Sequence, residues 1–173
     1  KNTKRILDVL KKYNVKSTFF VVGVNVKNYP SALNQIVENG HEIGNHTYSH
    51  SVLKALSSEK IKKEIIDTED ALNEANVLTP KLLRPPCGLY DNKLLEIAKS
   101  KDYKIVLWTI DTKDWEHRPA DEIVNKVLGS IKSGDIILFH DYISGVNNTP
   151  RALEILIPKL QEMGFNIVSV ILS

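Results

Sequence analysis

The sequence predicts an α/β protein in which helices cover a mainly parallel sheet, either a (β/α) barrel or a doubly wound sheet. Strand-like apolar runs alternate along the chain with amphipathic helical segments. Most of these runs have no polar face, as is typical of parallel strands buried on both sides. No internal repeat, low-complexity tract or Pro/Gly/Ser-rich linker divides the 173 residues. We therefore expect a single domain over residues 1–173.

The predicted helices have apolar residues at intervals of three or four positions, or a capping signal. They cover residues 3–13, 30–39, a segment capped by Ser57 or Ser58 that runs through Ala75, 92–101, 120–132, and a segment that Thr149 and Pro150 open. Gly40 follows the second of them, and glycine is the residue that most easily takes the left-handed conformation ending a helix.

The predicted strands are short runs rich in β-branched and aromatic residues. They cover residues 16–23, 41–45, 81–83, 103–110, 135–139 and 165–172. The alternation of these strands with the helices is what indicates the α/β class.

Composition excludes several classes of protein. The 23 basic and 21 acidic residues leave a net charge of +2, which gives no basic surface for nucleic acid. Cys87 is the single cysteine, so no intramolecular disulfide can form. No apolar run approaches the roughly 20 residues of a membrane-spanning helix. The chain starts at Lys1 without an initiator Met or signal peptide, so we expect a fragment or a processed product. We also expect it to be monomeric.

Reactive side chains follow several of the predicted strands, where α/β folds with parallel strands carry their chemistry. These side chains are His46 and His50, Arg84 and Cys87, Asp111 and Asp114, and His140 and Asp141.

His46 and His50 lie four residues apart, a spacing at which two imidazoles can bind one divalent ion such as zinc. The pair alone is weak evidence, because histidines at this spacing also occur on surfaces and in cores. A zinc site needs a further ligand, and no motif of the chain supplies an obvious one.

The segment Arg84-Pro85-Pro86-Cys87-Gly88 is a rigid turn whose arginine can orient a carboxylate and lower its pKa, or can simply be a surface arginine. Cys87 allows two further interpretations, a nucleophile paired with His140 or a soft metal ligand, although a lone cysteine is more often inert.

The segment Asp111 to Trp115 places carboxylates at a strand end beside an aromatic ring suited to stacking on a sugar, or else caps a helix next to a core tryptophan. His140 follows the apolar run 136–139, and a carboxylate from Asp111 or Asp114 would stabilise its protonated form. His140 is therefore the candidate general acid.

Taken in order, these segments resemble the polysaccharide deacetylases of the NodB-homology type, carbohydrate esterase family 4. The similarity starts at Ser17-Thr18-Phe19-Phe20-Val21-Val22-Gly23. The family's His-Ser/Thr-x-x-His motif is met by His46 to His50, its Arg-x-Pro-x-Gly motif by Arg84 to Gly88, its fourth motif by Asp111 to Trp115, and its fifth by Leu138-Phe139-His140.

The resemblance implies a deformed (β/α) barrel with one strand fewer than a regular barrel. It also implies a divalent metal, most often zinc, held by His46 and His50 together with an aspartate. It assigns His140 as general acid with Asp111 as its carboxylate partner, and Arg84 as the residue that tunes the base. Leu138 and Trp115 would line the acetyl pocket, and the backbone N–H of Cys87 would serve the oxyanion. In a carbohydrate-binding domain without turnover, Trp115 and Tyr90 would stack on sugar.

The family's first motif, Thr-Phe-Asp-Asp-Gly, carries the base and the metal-binding aspartate, and it would precede Lys1. We therefore expect the domain to be N-terminally incomplete, with its first strand missing from this chain. The function implied is metal-dependent removal of acetyl groups, chiefly N-acetyl, from a polysaccharide such as peptidoglycan or a chitin-like glycan, outside the cell or at its surface. The alternatives are an inactive carbohydrate-binding pseudo-deacetylase, a xylan O-acetyl esterase, and a thiol hydrolase using Cys87 and His140.

Overall fold

The computed structural model describes residues 2–78 and 80–170. The helices are α1 (Asn2–Lys12), α2 (Gly23–Asn28), α3 (Pro30–Glu38), α4 (Ser58–Glu74), α5 (Asn92–Ser100), α6 (Ala120–Leu128) and α7 (Thr149–Glu162). The strands are β1 (Thr18–Val21), β2 (Glu42–Asn45), β3 (Leu82–Leu83), β4 (Lys104–Ile105), β5 (Ile110–Asp111) and β6 (Ile137–Leu138). All the strand pairs are parallel, so the α/β class is confirmed.

The chain forms two compact units, of which one is the continuous segment Thr18–Leu107. This unit holds a parallel sheet in the order β1-β2-β3-β4, with Thr18 opposite Glu42 and Asn45 opposite Leu83. A core of fully buried side chains from α4, β3 and α5 supports the sheet, including Ile61, Ile65, Leu83 and Leu94. The packed core fixes the ends of β2 and β3, from which the candidate histidines and Arg84 project.

The other unit combines residues 1–17 with residues 108–173. Its strands β5 and β6 pair through Ile110 opposite Ile137 and Asp111 opposite Leu138. Buried apolar side chains of α6 and α7, among them Ile123, Val127, Ala152 and Leu156, pack with Ile110. Helix α1 is tied to α7, since the Tyr13 hydroxyl donates to the Glu154 carbonyl at 3.2 Å.

Two predicted strands differ from the structure, and one helix was not predicted. The strand expected over 103–110 is two short strands, because β4 pairs with β3 whereas β5 pairs with β6. Helix α2 was missed, because Val24 and Val26 extend the β-branched run of β1. Of the strand expected over 165–172, residues 165–170 form none, and 171–172 lie outside the described residues. The single-domain expectation stays a prediction.

Candidate active site

The two candidate metal-binding histidines lie on the loop that leaves β2. Their ring centroids are 4.9 Å apart, with an edge-to-face angle of 71°. The loop has left-handed backbone at Thr47, with φ of 69°, and at His50, with φ of 61°. Residues other than glycine seldom adopt this conformation, so neighbouring groups must hold the loop in shape.

Two polar side chains hold this loop. Asn45, which is fully buried, accepts the Thr47 N–H at 2.8 Å through Oδ1, and its Nδ2 donates to the Ile65 carbonyl at 3.1 Å. Glu64 of α4 accepts the Ser49 N–H at 2.8 Å and the Ser49 hydroxyl at 2.7 Å. The pair His46 and His50 is therefore positioned by β2 on one side and α4 on the other.

The hydrogen bond of His46 identifies the tautomer of its ring. Its Nδ1 lies 2.6 Å from the backbone carbonyl oxygen of Arg84. A carbonyl can only accept, so Nδ1 carries the hydrogen and the lone pair is on Nε2. Metal-binding histidines commonly have this arrangement, in which a carbonyl fixes the ring and its tautomer.

The histidine pair fits part of a donor set for a divalent cation. Catalytic zinc sites generally have three protein ligands. Within residues 2–78 and 80–170, no group of three His, Cys, Asp or Glu side chains is placed to hold one ion. The chemistry of two imidazoles in this geometry still suits zinc, with a further ligand required.

Arg84 follows β3 and is buried, with 8% of its surface exposed. Its Nε donates to the Val106 carbonyl at 3.2 Å, and its Nη2 to the Leu107 carbonyl at 3.0 Å. The guanidinium carbon also lies 4.0 Å from the centroid of the Phe20 ring. Burial lowers the pKa of Arg84 to about 10, so the group is cationic at neutral pH.

The turn after Arg84 presents Cys87 and Tyr90 to solvent. Cys87 is exposed and has a left-handed φ of 57° within the short turn Pro86–Gly88. Tyr90 is 44% exposed. These positions leave the Tyr90 ring accessible to a sugar.

In the unit built from residues 1–17 and 108–173, His140 contacts Asp114. The side chain of Asp114 is fully buried, and its Oδ1 lies 2.7 Å from Nδ1 of His140. Its Oδ2 accepts the His140 backbone N–H at 2.7 Å and the Thr149 hydroxyl at 2.7 Å. The carboxylate is thus satisfied on both oxygens, and it orients the imidazole.

The charge state of Asp114 follows from these contacts. Burial alone raises the pKa of Asp114, but the hydrogen bonds from His140 and Thr149 outweigh it and hold the pKa below the ordinary 3.8. The group is therefore ionised at neutral pH. An ionised carboxylate accepts from Nδ1, so the proton that His140 can exchange is the one on Nε2.

Asp111 has a different position from the one that the sequence favoured. The aspartate in contact with His140 is Asp114, whereas Asp111 Oδ1 accepts the Lys113 N–H at 2.9 Å. The reason is register, because Asp111 pairs with Leu138 in the sheet while the turn Asp114–Glu116 brings Asp114 to His140. The carboxylate partner of His140 is therefore Asp114, and not Asp111 as the family resemblance implied.

The other predicted pocket residues lie in the same unit as His140. Trp115 is 49% exposed, which suits a stacking surface, and Leu138 is 8% exposed. The buried Thr112 hydroxyl donates to the Leu138 carbonyl at 2.7 Å, which holds the end of β6. Their roles in a pocket stay predictions.

Sequence reasoning missed Asn45, Glu64 and Thr149 as supporting residues. The sequence predicts Thr149 only as a residue that opens α7, and its position in the sequence does not indicate a hydrogen bond to Asp114. Asn45 offered one signal, because a polar residue at the end of a buried strand must find partners inside.

Comparison with known proteins decides the family. The family model described as polysaccharide deacetylase matches residues 1–106. The chain belongs to the polysaccharide deacetylase family. Members of this family are generally metal-dependent. The family predicted from the motifs is thereby confirmed.

Several sequence relatives of this deacetylase-family chain come from bacteria. It is 40% identical over 168 residues to a peptidoglycan-N-acetylglucosamine deacetylase of Bacillus cereus. That alignment covers 96% of this chain but 61% of the relative, so the chain spans about three fifths of that protein's length.

Solved structures confirm the fold. A peptidoglycan N-acetylglucosamine deacetylase in complex with 4-naphthalen-1-yl-N-oxidanyl-benzamide matches with a TM-score of 0.94 and 40% identity, covering 98% of this chain and 80% of that one. A carbohydrate esterase family 4 pseudoenzyme from Bacillus anthracis matches with a TM-score of 0.91 and 34% identity, covering 98% and 59%. A mutant of that pseudoenzyme is described as having restored enzymatic activity, and it matches at 0.92 and 33% identity, covering 98% and 61%.

Proposed function

We propose that this chain is the catalytic part of an enzyme that hydrolyses N-acetyl groups of a cell-wall glycan such as peptidoglycan and releases acetate. The observation that carries the proposal is the bond between the buried, ionised Asp114 and Nδ1 of His140, at 2.7 Å. The similarity to a peptidoglycan deacetylase over nearly the whole chain supports the substrate class.

His140 acts as general acid in this proposal. Hydrolysis of the amide breaks the bond between the acetyl carbon and the sugar nitrogen, and the departing nitrogen must take up a proton. Nε2 of His140 supplies that proton while Asp114 stabilises the imidazolium from the opposite side of the ring. General acid catalysis of this kind typically contributes 10²–10⁴-fold.

His46 and His50 would hold the metal, for which we propose zinc. When bound, zinc would polarise a carbonyl group and lower the pKa of its bound water to about 7. The carbonyl of Arg84 keeps His46 in the tautomer with the Nε2 lone pair. In members of the family that carry the first motif, that motif provides the third ligand and the base, and the Arg84 guanidinium would tune such a base electrostatically.

The remaining predicted residues bind substrate. Trp115 and Tyr90 have exposed rings suited to stacking on sugars, and Leu138 contacts the acetyl methyl group. The Cys87 backbone N–H donates to the oxyanion, so this role does not depend on the thiol. A substrate of this kind places the protein at the cell surface. None of the described helices is long and apolar enough to cross a membrane.

Acetate release tests the proposal directly. The intact protein, loaded with zinc and incubated with peptidoglycan, is expected to release acetate and expose free amines, and a chelator should stop the reaction until zinc is returned. His140→Ala should reduce turnover by about a hundredfold or more while bound zinc stays near its normal content. Absence of acetate release from zinc-loaded protein would overturn the proposal.

A second candidate function is carbohydrate binding without turnover. The similarity to a pseudoenzyme of the same fold supports this candidate. Such a protein would bind glycan through Trp115 and Tyr90 and release no acetate. Glycan binding measured beside acetate release separates the two functions, because the deacetylase requires both.

A further inference from the structure

A cavity of about 410 Å³ lies between α1 and the segment that leads into α7, within the unit formed by residues 1–17 and 108–173. Its charged lining residues are Arg5 and Arg151, and its polar lining includes Asn147 and Asn148. These residues take no part in the proposed reaction. The lining carries positive charge and no carboxylate.

Asn147 presents a hydrogen-bond donor that the described residues leave unsatisfied. Its Oδ1 accepts the Thr149 N–H at 2.9 Å, which fixes the orientation of the amide. Its Nδ2 is buried and has no acceptor among residues 2–78 and 80–170. A buried donor without an acceptor is unfavourable, and such an atom commonly indicates a missing water or ligand.

The charges at the cavity favour an anion. Arg5 is exposed and has no carboxylate partner in the described part of the chain. Arg151 pairs with Glu154 through Nη1 at 3.1 Å, and this one contact leaves its other N–H groups to bind a further acceptor. The first turn of α7 contains no acidic residue, so the positive end of its helix dipole adds to the same field.

The cavity is connected to the proposed general acid by consecutive hydrogen bonds. Asn147 accepts from Thr149, whose hydroxyl donates to Asp114 at 2.7 Å, and Asp114 contacts His140 at 2.7 Å. Asp141, next to His140, also accepts the Thr3 hydroxyl of α1 at 2.6 Å. A group bound in the cavity is therefore held by the same segments that position His140.

We propose that this cavity binds a carboxylate of the glycan substrate and makes the enzyme prefer acidic glycans to neutral ones. The inference rests on the proposed function. Peptidoglycan carries carboxylates on its muramic acid residues and on its peptides, whereas chitin oligomers carry none. Exposed arginines bind a free anion weakly, but a carboxylate on a polymer already bound elsewhere has a high effective concentration.

The test compares deacetylation of glycans of equal length. The substrates are a neutral chitooligosaccharide, a glycan with muramic acid but no peptides, the same glycan as its carboxyl methyl ester, and a glycan that retains its peptides. We expect a higher kcat/KM for the free acid than for the ester or the chitooligosaccharide. A preference that appears only with peptides attached would place the carboxylate on the peptide rather than on the sugar.

The variant Arg5→Gln/Arg151→Gln should reduce the ratio of kcat/KM for acidic over neutral glycan by about tenfold, mainly through KM, since charge-assisted hydrogen bonds are lost. Asn147→Asp keeps the acceptor for Thr149 but replaces the donor by a negative charge, and it should reduce the ratio at least as much. The matched control is Lys126→Gln/Lys159→Gln, which removes two exposed cations outside the cavity lining and should leave the ratio unchanged.

A binding measurement separates this inference from the proposed function. Muramic acid glycan, titrated into the intact protein, should shift the NMR signal of the Asn147 side-chain amide, and the methyl ester should not. If that signal shifts but no glycan releases acetate, the proposed function fails and the cavity assignment stands. If acetate is released but the amide does not respond and the variants keep the wild-type ratio, the cavity assignment is wrong.

Discussion

Replacement of Asp114 by asparagine tests the proposed acid more sharply than replacement of His140 itself. The carboxylate accepts three hydrogen bonds in a fully buried position, two on Oδ2 and one on Oδ1. Asparagine keeps the shape, and its single oxygen can still accept from the His140 N–H and from Thr149. Its NH₂ group then faces Nδ1 of His140, where it opposes the imidazolium form.

The expected effect is large on catalysis and smaller on the fold. Loss of general acid catalysis should lower kcat about a hundredfold or more, which corresponds to about 2.7 kcal/mol of transition-state stabilisation. The free energy of unfolding should fall by about 1.5–3 kcal/mol, because a charge-assisted hydrogen bond is lost. Metal content should stay near normal, since Asp114 has no part in the proposed metal site.

Acetate release, measured across pH with bound zinc quantified in the same samples, provides the assay. Asp111→Asn is the direct comparison and should have a much smaller effect, because the Asp111 carboxylate accepts from the backbone of Lys113. Asp135→Asn is the matched surface control, since Asp135 accepts from the backbone of Lys132. Near-normal turnover of folded Asp114→Asn, or a larger loss for Asp111→Asn, would refute the assignment of the pair.

Further predictions concern the metal loop and acid stability. His46→Ala and His50→Ala should each abolish acetate release and lower the bound divalent metal measured by elemental analysis; unchanged metal content would refute the ligand assignment. Glu64→Ala should weaken zinc affinity about tenfold, because Glu64 holds the loop that carries His46 and His50. The control Glu96→Ala, on an exposed face of α5, should leave the affinity unchanged. Competition with a chelating dye measures both. Folding lowers the pKa of Asp114, so its carboxylate stabilises the protein above the ordinary pKa of 3.8, and this contribution is lost as pH falls below that value. In Asp114→Asn, the free energy of unfolding measured in urea should therefore decrease less steeply with falling pH in this range.

Much of the fold could be predicted from periodicity, because its helices bury regular apolar stripes. Helix α4 is the best example, with Ile61, Ile65 and Leu72 fully buried at helical spacing. Periodicity could not predict where one strand ends and the next begins, because the pairing of strands in the folded protein determines those bounds. The single apolar run 103–110 contains β4 and the first residue of β5. These two strands have different partner strands, which a one-dimensional apolar pattern cannot indicate.

Motif spacing identified the reactive residue types of the candidate site but not their contacts. Asp111 and Asp114 are both acidic and close in sequence. Asp111 pairs with Leu138 in the sheet, and the turn that begins after Lys113, where φ is 57°, contains the aspartate that contacts His140. Thr149 could not be found in this way, since it lies 35 residues from Asp114 and meets it through folding alone.

His46 and His140 differ in the acceptor that holds their Nδ1–H, and this difference fits their proposed roles. His46 donates to the Arg84 carbonyl, a neutral group that fixes the ring without stabilising a positive charge, so the imidazole stays suited to binding a cation through Nε2. His140 donates to the buried, ionised Asp114, whose negative charge faces the ring and whose hydrogen bond leaves Nε2 as the atom that can donate a proton. His117 has the carbonyl arrangement as well, with Nδ1 2.8 Å from the Val146 oxygen. A fixed tautomer alone is therefore not evidence of function. His46 differs from His117 in having His50 as an edge-to-face neighbour, and His140 differs in contacting a buried carboxylate.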